Sequence, residues 1–252
     1  MHPFPRLLLP SLALMLLTLS LSGCGIDKNA PGPSPAKQQA EVSKTDSSSD
    51  NPLNAEDQPK SPAAQEIVFL IDASDSMVEV LPFVVNQVKG AVGQLQKKQR
   101  VTIVIFSGEG IYEVPGGGGV KGLRPVTVKF KQDIDHWLSL ENHKYKIGGR
   151  DGRHAAAAIQ EVLSYKPQLV FVLSNNLVGV GQGVPQHKLI QDNLMKEIHK
   201  ANDADSPTRF YALHFLDEDR LVRAGLKGTL QRLADETGGT YRFISAQDLN
   251  LN

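Results

Sequence analysis

At 252 residues, with 40% hydrophobic and 21% charged side chains, the chain has the composition of an ordinary globular protein and the length for one large domain or two small ones. Its 27 basic residues balance 27 acidic ones, and no Lys/Arg cluster interleaved with aromatics runs along it, which argues against nucleic acid as a partner. Cys24 is the only cysteine, which excludes a framework of internal disulfides.

The chain opens with Arg6 followed by an uncharged, Leu-rich run from Leu7 to Ser22. The run is shorter than the roughly 20 residues a membrane-spanning helix needs and is interrupted by Pro10, so it reads as an export signal over residues 1–23. Leu21-Ser22-Gly23-Cys24 resembles the lipobox of bacterial lipoproteins. That resemblance implies cleavage before Cys24, a thioether-linked lipid on its sulfur, and a protein held on the membrane in the cell envelope, facing the periplasm or the exterior. Gly25 after the cysteine is compatible with outer-membrane sorting in a two-membrane host.

From Gly25 to Ala64 the chain carries six prolines, six serines, no aromatic residue, and Ile26, Val42 and Leu53 as its large aliphatics. Such a segment cannot bury a core, and residues 24–64 are expected to form a lipidated, disordered tether reaching on the order of 35 Å as a flexible coil.

Residues 65–252 alternate short apolar runs with amphipathic stretches, the pattern of an α/β domain with a mostly parallel sheet covered on both faces. Five runs are predicted strands: Ile67 to Ile71, Val101 to Phe106, Leu169 to Leu173, Phe210 to Phe215 and Tyr241 to Ile244. Val126 to Phe130 is a further extended candidate. Leu81, Val85, Val88, Val92 and Leu95 recur at helical spacing, which predicts a helix packed on the sheet. Helices are also predicted over His154 to Tyr165 and His187 to Ala201. A last one starts in Asp217-Glu218-Asp219, presents Leu226, Leu230 and Leu233, and stops at Gly238-Gly239.

The first predicted strand delivers Asp72-Ala73-Ser74-Asp75-Ser76 at its carboxyl end, where ligand sites of open α/β sheets cluster. Mg²⁺ and Mn²⁺ take oxygen donors, and Asp72, Ser74 and Ser76 offer three from one turn. The competing reading is structural: short polar residues make turns and cap helices. Asp-x-Ser-x-Ser after an apolar strand resembles the metal-ion-dependent adhesion site of von Willebrand factor A domains. The stretch from Leu233 to Phe243 is similar to the last helix and strand of bacterial members, so the resemblance covers nearly all of residues 65–252.

It implies a three-layer Rossmann-like fold and a site that binds an acidic group of a protein ligand through a divalent cation, without turnover. Two positions depart from the family pattern. Gly148-Gly149-Arg150-Asp151 puts Arg150 where a threonine is usual, and Asn175 in Ser174-Asn175-Asn176 stands where the family has an aspartate. Either Asp151 serves as a substitute donor beside Asn175, or the Arg150 guanidinium pairs with Asp72 and takes the place of the metal.

Other candidates are weaker. Gly116 to Gly119, and Gly179, Gly181 and Gly183, match neither the P-loop nor the dinucleotide fingerprint, so no nucleotide is expected; they are predicted to be flexible loops around the ligand face. The seven histidines show no zinc spacing, and His136, His143 and His154 are predicted surface residues. Asp133 and Asp135 lie two apart, wrong for a paired acid/base site, and are assigned to a helix start. No nucleophile elbow is present. The expectation is a membrane-anchored binding or adhesion protein; the rival readings are a structural envelope component and a hydrolytic enzyme.

Overall fold

The computed structural model describes residues 64–115, 119–139, 147–148, 154–178, 183–202 and 206–249. The predicted signal segment, Cys24 and the tether lie outside the described residues, as do His143, Arg150 and Asp151. No described helix is long and apolar enough to cross a membrane.

The strands are β1 (Glu66–Asp72), β2 (Arg100–Ser107), β3 (Gly110–Glu113), β4 (Arg124–Pro125), β5 (Leu169–Ser174), β6 (Arg209–Phe215) and β7 (Tyr241–Ile244). They form one seven-stranded sheet in the order β3-β2-β1-β5-β6-β7, with β4 paired to the start of β2. The pairs β1–β2, β1–β5, β5–β6 and β6–β7 are parallel, while β3 and β4 run antiparallel to β2. The five predicted strands are all present, each within a residue or so of its expected limits. β3 was not anticipated: with four half-buried residues it lacks the apolar run that marks its neighbours.

Helices cover both faces. Phe69, Phe171, Tyr211 and Phe215 pack with α1 (Leu81–Gln94) and α2 (Val128–Trp137) on one side, where the Phe69 and Phe171 rings stack at 5.2 Å. On the other, Val68, Leu70, Val170, Val172, Phe210 and Ala212 meet α3 (Ala155–Ser164), α4 (Val184–Ala201) and α6 (Thr229–Glu236). The alternation along each strand feeds two cores from one buried sheet. Leu81, Val85, Val88 and Val92 line the buried face of α1, as their spacing predicts.

Three expectations are corrected. Val126 to Phe130 is not extended throughout: the Thr127 hydroxyl accepts from Phe130 N at 3.0 Å and caps α2, which buries Phe130, Ile134 and Trp137 at helical spacing. The Val-Thr-Val run was outweighed by that cap and by packing. Asp133 and Asp135 sit in the second half of α2, not at a helix start; they pair with Lys129 at 3.2 Å and Lys89 at 3.0 Å.

The predicted last helix is two. A short α5 (Arg220–Arg223) ends before Gly225, whose φ of +75° a side chain resists, and α6 begins after Gly228, leaving Leu226 42% exposed. Gly116 to Gly118, Gly179 and Gly181 of the two glycine clusters lie outside the described residues. β3 turns back along β2, and beyond the first cluster Lys121 pairs with Glu161 while Gly122 lies against Tyr165 at the far end of α3.

Gly238 and Gly239 do close α6. Gly238 adopts φ +69°, and a Cβ on Gly239 would lie 1.8 Å from the Phe210 carbonyl oxygen, so only glycine lets this loop approach β6.

Candidate functional site

Two self-bonded turns leave the sheet side by side. At the end of β1, Asp72 Oδ1 accepts from Ser74 N at 2.9 Å, the local turn an aspartate favours. Ala73 N donates to Phe106 O at 2.8 Å, pinning the exit of β1 to β2. At the end of β5, Ser174 Oγ accepts from Asn176 N at 3.0 Å and Asn176 Oδ1 accepts from Val178 N at 2.9 Å. Because β1 and β5 are parallel neighbours in register, both turns open at the same carboxyl edge.

The turns are joined by side chains. Ser174 Oγ donates to Asp72 Oδ2 at 2.6 Å, and Ser76 Oγ donates to Asn175 Oδ1 at 3.0 Å. Ser74 Oγ lies 3.1 Å from Ser76 Oγ. Asp72, Ser74, Ser76 and Asn175, singled out from sequence alone, therefore meet in one cluster. Asp72 and Asn175 are buried, Ser74 is half-buried and Ser76 is exposed, so the cluster opens to solvent at the hydroxyls. The turn-only reading of Asp72 holds in part, since it binds Ser74 N, but Ser74 makes no side-chain cap on the 3-10 turn Asp75–Met77.

Gly148 docks against the same loop. Its N–H donates to Ala73 O at 2.9 Å and its carbonyl accepts from Gly108 N at 2.8 Å. It holds φ +127°, and a Cβ there would come within 3.2 Å of Asp75 Oδ1. The segment leading to Arg150 and Asp151 is thus attached beside Asp72, while those two residues lie outside the described ones.

Burial raises the Asp72 carboxyl above its ordinary value of 3.8, against the lowering effect of hydrogen bonds from Ser174, Ser74 N and the Ser74 hydroxyl. Among the described residues no cationic side chain compensates it. Ser174 also lies 3.0 Å from the Asn176 carbonyl oxygen, and its single hydrogen can serve one of the two acceptors at a time.

Sequence reading missed Ser174 and its neighbour His214. Asp72, Ser174 and His214 form a polar row across β1, β5 and β6, flanked in register by Phe106 and Phe243. The signal was available: each is the polar residue that ends an apolar alternation on one sheet face. His214 Nδ1 lies 2.8 Å from Tyr241 Oη, while its Nε2 has no hydrogen-bond partner among the described residues. Nearby His187, at the start of α4, places Nε2 3.3 Å from Asp219 Oδ1 but out of hydrogen-bond alignment. Burial holds both imidazoles below 6.5.

The row is not a nucleophile–base pair. Ser174 is fully buried and its hydroxyl serves a carboxylate, not an imidazole. Among the described residues no group of three or more His, Cys, Asp or Glu is placed to hold a metal. A cation at the cluster would rest on one carboxylate, two hydroxyls and an amide oxygen. That oxygen-only set, open to water on one side, fits Mg²⁺ or Mn²⁺, which keep several waters and need one or two carboxylates. Of the predicted surface histidines, His136 is exposed on α2 and His154 is half-buried at the start of α3.

No protein-family model matches the sequence, and no curated protein matches it. Among solved structures, the chain is similar to the pilus adhesin SpaC of Lactobacillus rhamnosus GG in its open conformation, with TM-score 0.46 and 16% identity over 76% of this chain and 30% of that one. It is also similar to the human COPII-coat protein Sec24c, with TM-score 0.45 and 13% identity over 79% of this chain and 34% of the other. A third is the minor pilin PilB of Streptococcus sanguinis, with TM-score 0.43 and 11% identity over 75% of this chain and 59% of that one. The chain spans less than two thirds of each.

Proposed function

We propose that this chain is a lipid-anchored binding protein of the cell envelope whose von Willebrand factor A-like domain captures a protein ligand at the Asp72 cluster, through a bound Mg²⁺ or Mn²⁺. The observation that carries the reading is Asp72 itself. A carboxylate with 1% exposure is joined to hydroxyl and amide oxygens and faces no compensating cation among the described residues. A divalent ion supplies the missing charge, and its outward coordination position suits an acidic side chain of a ligand. Asp72, Ser74, Ser76 and Asn175 would hold the ion, with Asp151 as a further donor. The domain itself performs no reaction in this proposal, consistent with a Ser174 hydroxyl that no substrate reaches.

One observation favours a cation-free variant of the same site. Gly148 is hydrogen-bonded beside Asp72, two residues before Arg150, so a guanidinium in the place of the metal is within the chain's reach. Isothermal titration of the mature chain with Mg²⁺ and Mn²⁺ separates the two. Saturable binding that is lost in Asp72→Ala supports the metal site. Absence of binding in the wild type, with binding gained in Arg150→Thr, supports the guanidinium. Absence of binding in all three removes metal-dependent capture.

A further inference from the structure

The chain enters the domain at the edge opposite the candidate site. Ala64 O accepts from Gln99 Nε2 at 2.8 Å, and Gln65 O accepts from Arg100 N at 2.6 Å, so the entry lies beside the turn between α1 and β2. Gln99 organises this corner. Its side chain accepts from Gln96 N at 2.7 Å, its N–H donates to Gln96 O, and its carbonyl accepts from Val126 N at 2.9 Å. It thereby joins the chain entry, the Gln96–Gln99 turn and the start of α2.

That turn presents Lys97 and Lys98, both exposed and neither paired with an acid among the described residues. Lys131 adds a third positive charge, seated 2.7 Å from both Gly93 O and Leu95 O at the end of α1. The described acids at this corner are already matched: Glu66 with Arg100 at 2.9 Å and Asp133 with Lys129 at 3.2 Å. Val128, in the first turn of α2, is 68% exposed. The opposite edge carries Asp75, Glu79, Asp217 and Glu218 in exposed positions, beside Arg220 and Arg223. Among the described residues, the corner where the tether attaches therefore carries unmatched positive charge.

We infer that this corner, Lys97, Lys98 and Lys131 with Val128, is a docking surface for anionic phospholipid headgroups. The inference rests on the reading of Cys24 as a lipid anchor. Only 39 residues separate Cys24 from Ala64, so an anchored domain samples the bilayer surface at high local concentration and needs only weak attraction to settle on it. Basic side chains supply that attraction within a Debye length of an anionic leaflet, and an exposed aliphatic beside them enters the headgroup layer. Docking in this pose turns the Asp72 cluster away from the membrane.

The test uses the lipidated mature chain in vesicles of phosphatidylcholine, alone or mixed with phosphatidylglycerol, read by amide hydrogen exchange. Exchange over residues 96–99 and 126–131 is expected to slow by about tenfold on the anionic vesicles at low salt. It should stay unchanged on phosphatidylcholine and return to the free rate at high salt. The double variant Lys97→Glu/Lys98→Glu, whose changes are both exposed, should lose the protection while keeping its Tm. Equal exchange on both vesicle types, with the chain anchored, overturns the proposal. So does protection that survives in the variant. An intact mass without acyl chains on Cys24 defeats the anchor reading separately. Docking is then judged by co-sedimentation of the unanchored chain, where retention on anionic vesicles at low salt supports it and none overturns it.

Discussion

Asp72 sits where the proposed function and stability oppose each other. Its folded carboxyl has a raised pKa, so its contribution to stability is full below 3.8 and is lost as pH rises through the folded value. At neutral pH the ionised group is a cost that the proposed divalent cation would relieve. Asp72→Asn, measured in chelator at pH 7, should raise stability by about 1 kcal/mol, or 2–4 °C in Tm. The amide can donate to Ser174 Oγ, whose own hydrogen then turns to Asn176 O. The same substitution should abolish stabilisation by Mg²⁺, which in the wild type reaches about 2.7 kcal/mol at one hundred times Kd. A variant melting below the wild type would mean that the site is held by a cation already present in the chain, Arg150 being the candidate. Asp72, Ser74, Ser76 and Asn175 were legible because they end predicted strands in a known pattern. Ser174 and His214 were legible only as polar residues closing an apolar alternation; that they join Asp72 in a row comes from strands β1, β5 and β6 lying adjacent, and adjacency in a crossover sheet is not written in local spacing.

Among the elements, long apolar runs were legible and weakly patterned pieces were not. β1, β2, β5 and β6 are buried on both faces and declare themselves. β3 depends on pairing with β2, and the α5–α6 break depends on Asp219, whose role is tertiary. Asp219 Oδ1 accepts from Leu221 N at 2.8 Å and Oδ2 accepts from Thr229 N at 2.7 Å, so one buried carboxylate caps two successive helices. Asp219→Ala leaves both N–H groups unsatisfied and should cost about 2–3 kcal/mol, seen as a lower denaturant midpoint with an unchanged m value. Asp219→Asn, which keeps one acceptor, should recover part of that loss. Equal stability of the wild type and the alanine variant would show that the caps are replaced by water.

For the whole molecule, the two buried imidazoles set acid tolerance. His187 and His214 are both held below 6.5 by burial. As pH falls below that value the unfolded chain takes up protons that the folded one refuses, so stability is full above about 6.5 and declines toward the folded pKa values. The slope should reach up to about 1.4 kcal/mol per pH unit for each imidazole. Urea unfolding between pH 7.5 and 5 measures it, and His214→Gln should reduce the slope by up to half. A flat profile would show that neither imidazole is excluded from protonation in the folded state.

The placement of entry and site on one strand has a mechanical consequence. β1 begins just after Ala64 and ends at Asp72, and it lies between β2 and β5, parallel to both. In the proposed anchored protein, with the membrane pulling at one end and a captured partner at the other, tension would run along a single central strand of roughly 23 Å. Force applied at the two ends of one strand is carried by its covalent backbone, and the share that reaches Asn175 crosses the β1–β5 ladder in shear, so those hydrogen bonds bear it together and none is peeled alone. A tug between cell and ligand then meets the most resistant direction of the sheet, and the helices on either face lie outside the line of force.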